Sequence, residues 1–323
     1  MRHILVINAA TDPFTLTESQ WRGAWDRAGK PPCSVAFATA ASPPGPDLAT
    51  ALTAADTIIT GPAIMASLLG EAMPRLETVF LTAAGVDRLA GLPWPKGVRL
   101  LNNRGVHGAK LREYVLWALL ALHLRTPALG ANQVARRWQP VFTPSIATRR
   151  LTVVGTGDLG GAAARAGQAL GMAVTGISRQ ARPHPACGRV LPTTALDTVL
   201  AETDALVLAC PLTPATRGLL DARRLARLPS GAHVINVGRG ALLDEAALVA
   251  ALAAGRLGGA VLDVTDPEPP LPEGRLWQAP NLILTPHVAA DDPAIYNDAS
   301  LDLFFATIDQ DNPPNRVDLG LGY

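Results

Sequence analysis

Short apolar runs alternate with segments of helical periodicity along most of the chain. In the first hundred residues, four runs predict strands: HILVIN, SVAFAT, DTIIT and ETVFLT. Six later runs predict further strands: RLTVVG, AVTGIS, DALVLA, AHVINV, GAVLDV and NLILTP. Strands that alternate with helices in this way are typical of βαβ units and of a parallel sheet. The pattern therefore predicts an α/β protein.

Three segments predict helices that organise the chain. Apolar residues recur at helical spacing from Val106 to Arg125, which is long enough to carry the chain from one domain to the next. In LLDEAALVAALAAGRL, Asp244 can cap the N-terminus of a helix and Gly255 can close its C-terminus. A last helix is predicted near 293–310, and we expect it to pack on the first domain. The Pro-rich stretch ASPPGPD predicts a loop.

Composition and charge exclude several classes of protein. The net charge of +1 provides no field that would favour nucleic acid or an anionic membrane. Only three cysteines occur, without CxxC spacing, so neither a disulfide framework nor a thiolate metal site is expected. The longest apolar stretch, Tyr114 to Leu122, is less than half a membrane span, and the first apolar run is too short for a signal peptide. We expect a cytoplasmic protein without a metal.

A glycine-rich turn follows the strand RLTVVG and precedes a helical pattern. Gly155, Gly157 and Gly160 have GxGxxG spacing, which in this context is typical of a turn that binds the pyrophosphate of a dinucleotide. The helix N-terminus would add N–H groups and a partial positive charge. Asp158 lies inside the turn, and we expect its side chain to point outward. The alternative is an ordinary βα turn.

The segment TGISRQARPH lies where such a fold usually places an acid that binds a ribose 2′-hydroxyl. No Asp or Glu occurs between Leu159 and Leu196. Ser178 takes the usual position of the acid and Arg179 follows it, and a guanidinium matches the geometry of a phosphate. The sequence therefore predicts NADP(H) in preference to NAD(H). A solvated basic loop is the alternative, and the roles of Arg182 and His184 stay open.

The length of 323 residues favours two domains. We place the first at 1–102 together with 289–323, and the second at 103–288. The predicted fold class is α/β, with two doubly wound parallel-sheet domains of Rossmann or flavodoxin type and a cleft between them. The glycine-rich turn assigns the dinucleotide to the second domain, and we expect the first to bind the substrate.

Three loops that follow predicted strands carry residues suited to chemistry. They contain Arg239 in INVGRGALLDEAAL, Glu268 in VLDVTDPEPPLP and His287 in LILTPHVAA. Open α/β sheets bind their ligands at the ends of strands, so these loops are where a site is expected. Each residue alone has a structural alternative, because Glu268 would suit a surface loop and Arg239 a helix entry. Their occurrence together favours an active site.

With these segments the chain resembles the D-isomer-specific 2-hydroxyacid dehydrogenases. Further matches are CPLTPATRGLLD, LTAAGVDRLAGLP and NNRGVHGAKLREYVLWALLALHLR, and the resemblance covers most of the chain in the family's motif order. Within the family the chain is most similar to the glyoxylate and hydroxypyruvate reductases of the bacterial A type. It shares with them the SR after the second strand of the dinucleotide fold and a short tail, here RVDLGLGY.

This resemblance implies reduction of a small 2-keto acid, glyoxylate or hydroxypyruvate, with NADPH. It implies three candidate catalytic residues: His287 as proton donor, Glu268 orienting it and Arg239 binding the keto-carboxylate. An imidazole suits proton transfer near neutral pH, and a guanidinium suits a carboxylate. The implied substrate contacts also include Ala84, Gly85 and Val86. The implied cofactor contacts are Gly155, Gly157, Asp158, Leu159, Gly160, Ser178, Arg179, Pro211, Thr216, Val237, Gly238 and Asp263.

The resemblance also implies a homodimer, with the long helix near 106–125 at a two-fold interface. Trp138 would suit the substrate pocket of a partner subunit, although a tryptophan is more often buried packing. The chain departs from the family at Arg112, where a small residue is commoner, and in HVAA after the histidine. Two alternatives stay open: another dehydrogenase of the family, for phosphoglycerate, D-lactate or formate, and a non-catalytic protein that senses NAD(P).

Overall fold

The structure is a computed structural model that describes residues 2–11, 13–31, 33–40 and 44–322. Two predicted features fall partly outside these ranges. They are the first three residues of the ASPPGPD loop and the last residue of the RVDLGLGY tail.

Twelve strands occur in the described residues: β1 (His3–Asn8), β2 (Ser34–Thr39), β3 (Thr57–Thr60), β4 (Thr78–Leu81), β5 (Arg99–Leu101), β6 (Arg150–Val154), β7 (Ala173–Ile177), β8 (Arg189–Leu191), β9 (Ala205–Leu208), β10 (His233–Asn236), β11 (Gly259–Leu262) and β12 (Leu282–Leu284). All ten predicted strands are confirmed. The sequence did not predict β5 or β8, which have three residues each.

Ten α-helices occur in the same residues: α1 (Glu18–Ala28), α2 (Pro46–Ala54), α3 (Pro62–Leu68), α4 (Gly108–His123), α5 (Thr126–Val134), α6 (Asp158–Ala169), α7 (Leu196–Val199), α8 (Ala222–Leu225), α9 (Glu245–Ala253) and α10 (Tyr296–Thr307). The predicted helix over 106–125 corresponds to α4. The sequence did not predict α5.

The strands form two fully parallel sheets. One has five strands in the order β2-β1-β3-β4-β5, and the other has seven in the order β12-β11-β10-β9-β6-β7-β8. In the larger sheet, β6 pairs with β7 on one side and with β9 on the other. The strand order therefore reverses at β6, which is the point where a doubly wound sheet opens a crevice for a ligand. The predicted α/β class with two parallel-sheet domains is confirmed.

The chain divides into two compact units. The first comprises Met1–Val106 and Asp292–Tyr323, and the second comprises His107–Asp291. These divisions lie four and three residues beyond the boundaries predicted at 102 and 288. The five-stranded sheet belongs to the first unit and the seven-stranded sheet to the second.

In the first unit, the C-terminal helix α10 packs against α1. The aromatic ring of Trp21, which is 1% exposed, lies 4.9 Å from the ring of Phe305 between centroids. At the edge of this contact the guanidinium of Arg27 lies 2.9 Å from the carboxylate of Asp302. Burial of aromatic surface of this size is a main source of stability in a domain core. It fixes the last helix on the unit that also contains β1.

In the second unit, hydrophobic clusters cover both faces of the seven-stranded sheet. One cluster joins α4 and α6 to the sheet through residues such as Leu119 and Val153, and the other contains Leu208 and Leu248. Asp244 caps α9 as predicted, because its Oδ1 accepts from the N–H of Ala247 at 2.9 Å. No single helix of the described residues is long and apolar enough to cross a bilayer. The pair α4 and α5 passes that test only together, bent by 61°.

Candidate active site

The site residues predicted in the second unit lie at the carboxyl ends of its parallel strands. The glycine-rich turn follows β6, and Ser178 follows β7. The other positions follow β9 to β12: Pro211 and Thr216 after β9, Val237, Gly238 and Arg239 after β10, Asp263 and Glu268 after β11, and His287 after β12. Because the strands are parallel, these ends share one edge of the sheet. The sequence could place each residue after a strand but not show which strands are neighbours.

The glycine-rich turn needs its glycines for steric reasons. Gly155 has a φ of +93°, and a Cβ there would lie 2.7 Å from the carbonyl oxygen of Ala209. A Cβ on Gly160 would collide with the carbonyl oxygen of Gly155. A Cβ on Gly157 would meet nothing within 4 Å, and Gly157 is the N-cap of the twelve-residue helix α6. The turn therefore leaves an open approach to the helix N-terminus, which fits a bound pyrophosphate.

Two further residues of this turn are less exposed than residues of a loop that projects into solvent. Asp158 and Leu159 are both half-buried. The Oδ1 of Asp158 lies beside Gly108 at the start of α4, at 3.3 Å from where a Cβ of Gly108 would be. The carboxylate thus leans toward α4, which differs from the outward direction expected from the sequence.

The basic loop after β7 presents its cationic groups to solvent. Ser178 is half-buried and its N–H donates to the carbonyl oxygen of Leu191, while Arg179 and Arg182 are exposed. Burial and then the charge of Arg165 lower the pKa of His184, so its ring is neutral at pH 7. An exposed cationic loop beside the glycine-rich turn has the charge that a nucleotide with an additional phosphate requires.

The residues predicted after β9 and β10 form a tight pair of loops. The hydroxyl of Thr216 donates to the carbonyl oxygen of Pro211 at 2.7 Å, which closes the first loop on itself. Val237 and Gly238 are buried, and a Cβ on Gly238 would lie 3.1 Å from the carbonyl oxygen of Cys210. The two loops therefore pack in direct contact at the sheet edge.

Arg239 extends from this contact. Its Nη1 donates to the carbonyl oxygen of Gly238 at 2.8 Å, and the residue is half-buried. Gly240 behind it packs so closely that a Cβ would collide with the backbone of Thr265. One hydrogen bond to the backbone thus holds the guanidinium. Its planar N–H groups can donate to both oxygens of a carboxylate.

Glu268 and His287 form a direct pair. The Nδ1 of His287 lies 2.6 Å from Oε1 of Glu268, and the side chains are 47% and 41% exposed. A carboxylate on one ring nitrogen fixes the orientation of an imidazole and leaves Nε2 for a second partner. The two loops after β11 and β12 therefore bring together two of the three predicted catalytic residues.

Asp263 is 3% exposed, and its carboxylate is directed to the loop that contains His287. Oδ1 accepts from the hydroxyl of Thr285 at 2.7 Å and from the N–H of Val288 at 2.9 Å. Oδ2 accepts from the N–H of Ala289 at 3.0 Å. The implied contact of Asp263 with the cofactor stays a prediction. Sequence reasoning missed Thr285, whose only signal was its place two residues before the histidine.

The predicted substrate segment lies in the first unit. Ala84 and Gly85 are half-buried in the loop after β4, and Val86 is buried. The side-chain amide of Asn102 donates to the carbonyl oxygen of Ala84 at 2.7 Å. Asn102 is itself 1% exposed, so a buried side chain holds this loop. The sequence offered no signal for that contact.

No group of three or more His, Cys, Asp or Glu side chains in the described ranges could hold a metal ion. The three cysteines are all unpaired thiols. Burial raises the pKa of Cys210 to about 11, so this thiol stays protonated at neutral pH.

Comparisons with known proteins find relatives of this chain in sequence and in fold. Residues 116–289 match the family model for the NAD binding domain of D-isomer specific 2-hydroxyacid dehydrogenases, and all of them lie within the second unit. The glyoxylate/hydroxypyruvate reductase A of Salmonella paratyphi C is 32% identical over 228 residues, which cover 67% of this chain and 72% of that protein.

Two solved structures resemble the whole chain. One is a D-isomer specific 2-hydroxyacid dehydrogenase from Xanthobacter autotrophicus Py2 in complex with NADPH and MES, with a TM-score of 0.84, 31% identity and full coverage of both chains. The other is an NADPH-dependent glyoxylate/hydroxypyruvate reductase from Sinorhizobium meliloti in complex with NADP and sulfate, with a TM-score of 0.80, 28% identity and full coverage of both chains.

Proposed function

Since the chain belongs to the D-isomer-specific 2-hydroxyacid dehydrogenase family, we propose that it reduces glyoxylate or hydroxypyruvate with NADPH. The observation that carries the proposal is the hydrogen bond between Glu268 and His287, at the edge of the sheet that also carries the phosphate-binding turn. The relatives' reductase and NADPH descriptions support the choice of substrate and cofactor.

Reduction of a 2-keto acid needs a hydride, a proton and a fixed substrate. NADPH supplies the hydride when bound. His287 holds the proton at Nε2 for the carbonyl oxygen, because Glu268 occupies Nδ1 and sets the direction of the ring. Arg239 binds the keto-carboxylate through its planar donors, and its charge stabilises negative charge that develops on the carbonyl oxygen.

The cofactor assignment rests on residues that suit a nucleotide with a 2′-phosphate. Gly155, Gly157 and Gly160 shape the turn for the pyrophosphate. In the next loop, Ser178 and Arg179 offer a hydroxyl and a guanidinium where a carboxylate would repel the phosphate. We therefore assign NADP(H) in preference to NAD(H), the second unit to the cofactor and the first unit to the substrate.

The assignments of the remaining positions follow the resemblance and stay proposals. For the cofactor they are Asp158, Leu159, Pro211, Thr216, Val237, Gly238 and Asp263. For the substrate they are Ala84, Gly85 and Val86. The predicted cytoplasmic location also stays a prediction.

We also propose that the protein forms a homodimer. The interface predicted on the helix over 106–125 stays a prediction, and exposed side chains add α5 and the segment after it to the proposed interface. No residue of α5 is buried in the chain. Val134, Trp138 and Phe142 are 87%, 102% and 92% exposed, so three large apolar side chains are in solvent within nine residues. A concentration of exposed apolar surface on this scale is typical of an interface between proteins.

The activity is tested by following NADPH oxidation at 340 nm with glyoxylate, hydroxypyruvate, pyruvate and phosphohydroxypyruvate, with NADH in parallel. We expect turnover of the first two, with higher kcat/KM for NADPH. Preference for another keto acid would move the assignment to another dehydrogenase of the family. Tight NADPH binding with no turnover of any keto acid would contradict the proposal and favour a sensor.

A further inference from the structure

His287 has an unusual backbone conformation. Its φ is +55°, in the left-handed region that L side chains other than Asn, Asp and His rarely adopt. Such a conformation persists only where the surrounding structure holds it. The N–H of His287 donates to the carbonyl oxygens of Asp263 at 2.9 Å and of Thr285 at 3.0 Å, so part of that support comes from the backbone.

The rest of the support comes from the carboxylate of Asp263. It accepts from the N–H groups of Val288 and Ala289, the two residues directly after His287. It also accepts from the hydroxyl of Thr285, two residues before His287. The buried carboxylate therefore holds the loop on both sides of the histidine.

The hydroxyl of Thr285 connects this carboxylate to α4. The Oγ1 of Thr285 lies 2.5 Å from the phenolic oxygen of Tyr114, which is 8% exposed. A hydroxyl has one proton, and an ionised carboxylate can only accept. Since Thr285 donates its proton to Asp263, Tyr114 donates its own to Thr285.

These two hydrogen bonds form a relay in which Tyr114 donates to Thr285 and Thr285 donates to Asp263. Burial raises the pKa of Tyr114, so its hydroxyl stays protonated and remains a donor. A hydroxyl that accepts a hydrogen bond becomes a stronger donor to its next partner. The phenol of Tyr114 on α4 thus strengthens the hydrogen bond from Thr285 to Asp263. The carboxylate of Asp263 in turn holds the loop that contains His287.

We propose that Tyr114 and Thr285 are positioning residues for His287, acting through Asp263 to hold the imidazole in its left-handed loop. This inference rests on the proposed role of His287 as proton donor. Neither hydroxyl touches the substrate or the cofactor in this role. Their effect is on the alignment of the histidine with its proton acceptor.

The test compares three single variants with the wild-type protein. Thr285→Val removes the hydroxyl at nearly constant volume, Tyr114→Phe removes one oxygen, and Thr285→Ser keeps the hydroxyl. We expect kcat to fall on the order of tenfold in Thr285→Val and two- to fivefold in Tyr114→Phe, about the effect of one lost hydrogen bond to a charged group or its neighbour. Thr285→Ser should restore most of the activity.

Two readouts separate positioning from a general loss of structure. Hydrogen exchange should become faster at the amides of Val288 and Ala289 in Thr285→Val, with the amides of β6 and α6 unchanged. The far-ultraviolet circular dichroism spectrum should also stay the same. If Thr285→Val does not fold, Tyr114→Phe still decides the question.

A double substitution gives the sharpest result. In a His287→Ala background, Thr285→Val should cause no further loss of turnover, because its effect passes through the missing imidazole. An equal further loss would overturn the inference, as would wild-type kcat and wild-type exchange in both Thr285→Val and Tyr114→Phe. If the wild type reduces no keto acid, the proposed function fails, and the exchange experiment still tests whether the relay holds the loop.

Discussion

The Nδ1 of His287 lies 2.6 Å from a carboxylate oxygen of Glu268, although the two residues follow different strands. The pair joins the loops after β11 and β12, which are neighbours in the sheet. With both side chains more than 40% exposed, the bond contributes little to stability. Its effect is to select one orientation of the imidazole.

We expect His287→Ala to reduce kcat for keto-acid reduction by a factor on the order of 10² to 10⁴, the usual contribution of a general acid. Glu268→Gln should cause a smaller loss, on the order of tenfold, because the ring remains but its charged partner is gone. Steady-state kinetics with glyoxylate measures both. Thermal unfolding serves as the control, and full turnover by His287→Ala would remove this residue from the mechanism.

The glycine-rich turn provides a matched pair of substitutions. Gly160→Ala forces a Cβ into the carbonyl oxygen of Gly155, so we expect the free energy of unfolding to fall by about 1–3 kcal/mol. Gly157→Ala places its Cβ in open space, so the melting temperature should stay nearly unchanged while NADPH binds more weakly. Calorimetry and fluorescence titration separate the two effects. Equal NADPH affinity in Gly157→Ala and wild type would contradict the assignment of the turn.

The sequence predicted inner strands such as β3, β4, β9 and β11 because every residue of these strands is buried. It missed β8, whose three residues include the exposed Arg189, and it missed α5, which buries none of its residues. Both elements lack the contrast between apolar and polar positions on which such predictions depend. The boundaries of α4 were predicted within two residues because eight of its residues are buried.

The candidate site also contains residues that local sequence patterns identify and contacts that they do not. Position after a strand identified His287, and the resemblance gave it a role. The hydrogen bonds from Asp263 to Thr285, Val288 and Ala289 connect residues up to 26 positions apart, and no local pattern reports such a contact. Tyr114 was part of an apolar helical pattern, so its hydroxyl had no visible function in the sequence.

Arg179→Ala should lower the ratio of kcat/KM for NADPH to that for NADH by roughly ten- to a hundredfold. The expected loss is that of a charge-assisted contact to a phosphate near the surface, about 1.5–3 kcal/mol. Arg189→Ala is a matched control, because Arg189 lies in β8, ten residues after Arg179, and its guanidinium is 3.1 Å from Glu202. An unchanged ratio in Arg179→Ala would exclude this residue from cofactor choice.

Stability should depend on pH through His233. Burial, followed by the charges of His123, Arg149 and Arg125, lowers its pKa from 6.5 to about 4. The unfolded chain therefore binds a proton between pH 6.5 and 4 that the folded chain does not, so stability falls as the pH is lowered through this range. The contribution is at most about 3 kcal/mol.

The variant His233→Gln should have a shallower decline of unfolding free energy between pH 6.5 and 4, even if it is less stable at pH 7. Urea unfolding at several pH values measures this slope for both proteins. The charge of Asp204 raises the pKa of His233, and Asp204 is retained in both proteins. Parallel slopes would show that His233 does not cause the loss.

The exposed apolar side chains of α5 and of the segment after it predict the oligomeric state. Burial of Val134, Trp138 and Phe142 against a second copy would remove a surface that solvent otherwise covers almost completely. We expect a dimer by sedimentation or light scattering at micromolar concentration, and a monomer for Val134→Glu combined with Trp138→Ala, because a charge in an apolar interface is strongly unfavourable. The double variant should keep its fold by circular dichroism, since neither residue is buried within the chain.

The matched control is Leu271→Glu, which changes another large exposed apolar residue outside this segment. Dimers that persist in the double variant, or a wild-type monomer, would contradict the proposed interface.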